Sequence, residues 1–108
     1  MEEQRYTLTK LSLKEFSNEL DELWSQFQNQ NSELSQEAQK EGIDLGPLRN
    51  LKRDEAIAIE RTESGLDVTA IVMAFVAHGI VEVVKAAWLH LLLPKIKQNL
   101  GEDSIKPE

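Results

Sequence analysis

The chain has 108 residues, the length of one small domain. Twelve Lys and Arg against 19 Asp and Glu leave a formal net charge of −7, which disfavours duplex nucleic acid and anionic lipid headgroups, both of which are held by clustered cations. With no cysteine there is no disulfide, no thiolate nucleophile and no cysteine-ligated metal, and five Gly and three Pro exclude fibrous and proline-rich linker classes.

Apolar residues are unevenly placed: residues 66–93 hold 21 of the 44 in the chain. The first 44 residues instead carry ten Asp and Glu against Arg5, Lys10, Lys14 and Lys40. Met1-Glu2-Glu3 has no basic region followed by an apolar run and does not read as a secretory signal. One domain is expected, with an acidic strand–helix–strand part over 1–62, a hydrophobic helical part over 66–101 and a frayed tail over 102–108.

Arg5–Leu11 contains β-formers with Tyr6 and Leu8 two apart, which predicts a short strand. Ser12-Leu13-Lys14-Glu15 fits a capping box and opens a helix. Apolar residues at 13, 16, 20, 23, 24, 27, 34 and 38 keep helical spacing, and Gly42 suits a C-terminal cap. One continuous helix over 13–41 is the preferred reading; a break near Asn29–Ser32 is the alternative. Residues 43–53 read as a connector with a turn at Gly46-Pro47. Asp54–Thr62 predicts a second strand, with Ile57 and Ile59 on one face. Two strands joined through a long helix predict a parallel β-α-β unit.

Ser64 or Asp67 could cap the next element. Between Val68 and Leu93 there is no Pro and only Gly79 as a breaker, so a helix of about 40 Å is expected over 66–93. Pro94 ends or kinks it, and a short helix follows to a cap at Gly101. The fold class is therefore α+β and mainly α: two long packed helices (13–41 and 66–93), two short strands (5–11 and 54–62) and a short C-terminal helix after Pro94. Leu13, Phe16, Leu20, Leu23, Trp24 and Phe27 are expected to pack against the second helix.

That helix would be apolar on nearly all sides apart from Asp67, His78, Glu82 and Lys85. A helix of this kind is enclosed by protein or by lipid, and 108 residues offer too little cover for it. A partner surface is the consequence. The function expected is non-enzymatic: a protein-binding or accessory module, self-associating as a homo-oligomer through the 68–93 helix. Val72, Phe75, Val76, Val83 and Trp88 are the candidate contact residues. The alternative is a single-pass membrane protein with an acidic extramembrane domain. Val68–Ala86 is the length of a span, but His78, Glu82 and Lys85 would be costly within it. The location expected is cytoplasmic, with the membrane as the alternative.

His78 and Glu82 are four apart, a spacing that supplies metal ligands in helical bundles. Such sites need more inward carboxylates than this segment has, so His78, Glu82 and Lys85 read as a polar stripe. His90 lies off that stripe and reads as solvated. There is no G-x-S-x-G turn, no Ser-x-x-Lys helix, no P-loop and no G-x-G-x-x-G. No catalytic, cofactor-binding or metal residue is assigned. Arg49-Asn50-Leu51-Lys52-Arg53 could meet a phosphate, but Asp54 and Glu55 follow at once and favour a self-neutralising turn.

The stretch Trp88-Leu89-His90-Leu91-Leu92-Leu93-Pro94-Lys95-Ile96-Lys97-Gln98-Asn99-Leu100-Gly101-Glu102-Asp103 resembles the end of small uncharacterised bacterial proteins. In these a Trp-bearing helix runs into Leu-Pro, basic residues and a Gly-acidic close. The resemblance covers 16 of 108 residues. It implies no activity, and it favours a bacterial accessory protein over an enzyme.

Overall fold

A computed structural model describes residues 2–65 and 67–108. Met1, and Leu66 at the start of the expected second helix, lie outside the described residues. The chain begins with strand β1 (Glu2–Thr9), followed by helix α1 (Leu13–Ser25), a 3-10 turn (Gln26–Gln28) and helix α2 (Glu33–Glu41). A 3-10 turn at Gly46–Leu48 and a single helical turn, α3 (Arg53–Ala56), lead into strands β2 (Ile57–Ser64) and β3 (Val68–Phe75). Helices α4 (Val81–Ala87) and α5 (Leu93–Leu100) are joined without interruption by a π-helical turn over Trp88–Leu92, and strand β4 (Ile105–Pro107) closes the chain.

The strands form one sheet in the order β2-β3-β1-β4, and every neighbouring pair is antiparallel. This corrects the expected fold class. The architecture is α+β with a four-stranded antiparallel sheet, and it is not mainly helical. The two expected strands do not pair with each other; each flanks β3 on opposite sides. No parallel β-α-β unit is formed. The expected 66–93 helix is in fact a strand over Val68–Phe75, a turn, and a helix that begins at Val81. β3 is apolar along nearly its whole length on both faces, and that is the reason for the difference. A strand without polar alternation carries no period of two, and its unbroken apolar run then reads like a buried helix.

The first helical segment breaks at the alternative position. Ser12 and Glu15 form the expected capping box, and Phe16, Leu20, Leu23 and Trp24 bury one face of α1. α1 stops at Ser25, and Ser32 caps α2 by accepting from the Ser35 N–H. The corner is stitched by hydroxyls: Ser32 donates to the Gln26 carbonyl at 2.7 Å, and buried Ser35 to the Asn29 carbonyl at 2.7 Å. Gly42 ends α2 with φ at 73°, a left-handed conformation that Gly adopts without the Cβ penalty. Pro94 does not end the last helix. It lacks an N–H, and the helix widens just before it, so that the Leu93 N–H donates to the Trp88 carbonyl in an i to i+5 bond.

All helices lie on one side of the sheet. The inner face carries Tyr6 and Leu8 from β1, Ile57 from β2, Ile71, Met73 and Phe75 from β3, and Ile105 from β4; all are buried with α1, α2 and the α4–α5 run in one core. The shortest dimension is 19 Å, the thickness of one sheet layer and one helix layer. Trp88 is the centre of that core. Its ring meets Tyr6 and Phe16 edge-on at centroid distances of 5.6 and 6.3 Å, and its Nε1–H donates to the Tyr6 hydroxyl at 2.8 Å. The Tyr6 hydroxyl in turn donates to the Gln4 carboxamide oxygen. Burial pushes the Tyr6 phenol up from its ordinary pKa, and the Trp88 hydrogen bond offsets part of that rise.

The tail over 102–108 is not frayed. Ser104 and Ile105 are buried, and β4 pairs with β1. The Thr9 N–H donates to the Ser104 carbonyl at 2.9 Å, and the Glu108 N–H to the Arg5 carbonyl at 3.0 Å.

Candidate functional site

The apolar surplus that predicted a partner is divided between two elements instead of forming one exposed rod. Of the large hydrophobic residues among those described, only Val68 and Leu89 are exposed, at 45% and 39%. No helix among the described residues is long and apolar enough to cross a membrane. Of the five candidate contact residues, Phe75 and Trp88 face the core and are 1% and 0% exposed. Val83 is half-buried against the core from α4. Val72 lies on the opposite face of the sheet, and Val76 is half-buried just past the end of β3. The five therefore do not form one surface.

The outer face of the sheet is uncovered. On β3 it presents Val68, Ala70, Val72 and Ala74, the residues that alternate with the buried Ile71, Met73 and Phe75. The registers give its rows. Ala74 lies between Ala58 and Glu3, Val72 between Glu60 and Arg5, and Ala70 between Glu63 and Thr7, with Lys106 beyond Thr7 on β4. The centre of the face is apolar and its borders are charged. Val72 and Ala74 are only 8% and 9% exposed, because the longer side chains of the flanking strands shield them. A shallow cleft of about 220 Å³ opens beside them, lined by Glu63, Ser64, Gly65, Val68 and Ala70. It lies where the β2–β3 register shifts between Arg61 and Glu63, leaving Thr62 as the extra residue of a bulge. The Thr62 hydroxyl donates to the Ala70 carbonyl at 3.3 Å.

The other candidates are used structurally. His78 is exposed in the turn before α4 and does not share a helix with Glu82, so the spacing of four does not align the two. Lys85 crosses to β1 and pairs with Glu2 at 2.7 Å, which holds the ammonium pKa above its ordinary value. His90 is exposed on the π-helical turn. Among the described residues no three His, Asp or Glu side chains are grouped to hold a metal ion. The basic cluster is committed to the fold: Arg49 Nε–H donates to the Phe27 carbonyl at 3.0 Å, and Arg53 Nη1–H to the Ile57 carbonyl at 2.7 Å. Arg53 also pairs with Asp21 at 2.7 Å, and the Trp24 indole N–H donates to the Leu51 carbonyl at 2.9 Å. Together these bonds clamp the connector onto α1. The cleft of about 430 Å³ beside Trp24 thus has its guanidinium, that of the half-buried Arg53, already paired.

Arg5, Glu60, Val68 and Ala70 belong to one surface that their spacing in the chain does not bring together. Alternation of Tyr6 and Leu8 with Arg5, Thr7 and Thr9 was available to place Arg5 on an outer face. Nothing comparable marks β3.

The chain matches no protein-family model, and comparison with curated proteins and with solved structures finds no significant similarity.

Proposed function

We propose that the chain is a non-enzymatic interaction module, active in the cytoplasm, that associates with a second copy of itself through the outer face of its sheet. The observation that carries this reading is the face itself: an apolar central strand with no helix layer on it and a charged border around it. In two-layer α+β domains the sheet face away from the helices is ordinarily polar, with the apolar side turned inward. Here β3 is apolar on both sides, and a second sheet packed on it would cover Val68, Ala70 and the neighbouring Ala58, which one copy alone leaves partly or largely exposed.

The two exposed valine and leucine side chains test which surface is used. Val68 lies on the outer sheet face and Leu89 on the helical side. Both are exposed enough for lysine to be accommodated without unfolding. Light scattering coupled to gel filtration at high protein concentration is expected to show a dimer for the wild type and for Leu89→Lys, and a monomer for Val68→Lys. A dimer lost in Leu89→Lys and kept in Val68→Lys would move the contact to the helices and defeat the reading.

A further inference from the structure

A second copy can lie on the outer face about either of two two-fold axes in the plane between the sheets. One axis runs along β3 and the other runs across it. Charge decides between them. Val72, near the middle of β3, is flanked by Arg5 on β1 and Glu60 on β2. Both side chains are exposed, and among the described residues neither has an ion-pair partner. An axis across β3 sets each Arg5 opposite Arg5 of the partner subunit and each Glu60 opposite Glu60 of the partner subunit. An axis along β3 exchanges the two flanks, so that Arg5 lies over Glu60 of the partner subunit and the reverse pair forms on the other side.

Resting on the self-association proposed above, we infer that two copies pack face to face about the axis along β3, with the two β3 strands running in the same direction and two Arg5–Glu60 ion pairs closing the sides. Packed sheets lie about 10 Å apart, a gap that an extended arginine and an extended glutamate bridge together. The alternative of joining sheets edge to edge is blocked. Edge strand β2 carries the Thr62 bulge and the charges of Glu60, Arg61 and Glu63, and edge strand β4 has three residues including Lys106 and Pro107. Three strands about seven residues long and the three-residue β4 cover roughly 380 Å², or about 760 Å² for both partners. That area is below the range of stable specific pairs. The dimer is therefore weak and reversible, and the ion pairs set its orientation and make it sensitive to salt.

Sedimentation velocity at low salt, from about 10 µM to about 1 mM chain, tests this directly. The wild type is expected to dimerise reversibly. Arg5→Glu and Glu60→Arg are each expected to lower the association constant by about tenfold or more, and the double variant to restore it to within about threefold. The double variant keeps the net charge of −7, so a restored dimer cannot come from altered overall repulsion. Thermal melts confirm folding, and Arg5→Gln with Glu60→Gln gives the same comparison without introduced repulsion. A wild type that stays monomeric throughout overturns both the orientation and the self-association it rests on. A wild-type dimer that ignores both reversals, or that is lost in each and not restored in the double variant, overturns the orientation alone.

Discussion

The two faces of β3 carry similar side chains and have different fates. On the inner face Ile71, Met73 and Phe75 are 0–1% exposed beneath a helix layer. On the outer face Val68, Ala70, Val72 and Ala74 meet no layer and are sheltered only by the long side chains of neighbouring strands. The inner face is closed by the fold; on the outer face Val72 and Ala74 are already buried, while Val68, Ala70 and the neighbouring Ala58 keep the exposure on which the proposed contact draws.

Mutations on the two faces should separate in size. Phe75→Ala, on the inner face, is expected to cost about 3–5 kcal/mol of folding stability, as for other buried aromatic truncations. A loss below about 1 kcal/mol in chemical denaturation would contradict its place in the core. Tyr6→Phe removes one hydroxyl from the same face and leaves the Trp88 indole N–H and the Gln4 carboxamide without their partner. Its expected cost is about 2 kcal/mol. Val72→Ala, on the outer face, is expected to cost about 1 kcal/mol in the monomer and to weaken the dimer further. Equal losses for Phe75→Ala and Val72→Ala would erase the distinction between the faces.

Tyr6 also makes the inner face visible to titration, because it is the single tyrosine of the chain. Its raised pKa means that the folded protein holds the phenol proton more tightly than the unfolded chain does. The stability this gives is fully present below the unfolded value of about 10 and is lost as pH rises through the folded value. Tyrosinate absorbance should therefore appear above the ordinary range and together with alkaline unfolding. Tyr6→Phe should flatten that limb of the pH–stability curve, leaving the alkaline loss that the raised Lys85 supplies. Ionisation at the ordinary value in a protein that stays folded would contradict the burial of the hydroxyl.

Much of the local structure was legible in the residues. The Ser12–Glu15 capping box, the Gly42 cap and the alternation of Tyr6 and Leu8 each state their geometry in short range. What could not be read was decided at long range. β3 is a strand because β1 and β2 pair with it on either side, and its own sequence, apolar at both parities, fits a buried helix equally well. Missing that strand turned two antiparallel flanks into an expected parallel pair. Ile105 is a local clue of a weaker kind, a lone apolar residue in a polar tail that is anchored by pairing with β1. The candidate surface suffered from the same error. On a helix Val72, Phe75, Val76 and Val83 would share one side, whereas the strand sends Val72 and Phe75 to opposite faces.

The most direct test is an isotope-filtered nuclear Overhauser experiment on a sample mixed from labelled and unlabelled chains at about 1 mM. Contacts between copies are expected from the methyl groups of Val68, Ala70, Val72 and Ala74, each to the same stretch of the other copy. Contacts arising instead from Leu89 and its helical neighbours, or no contact between copies at that concentration, would contradict the account.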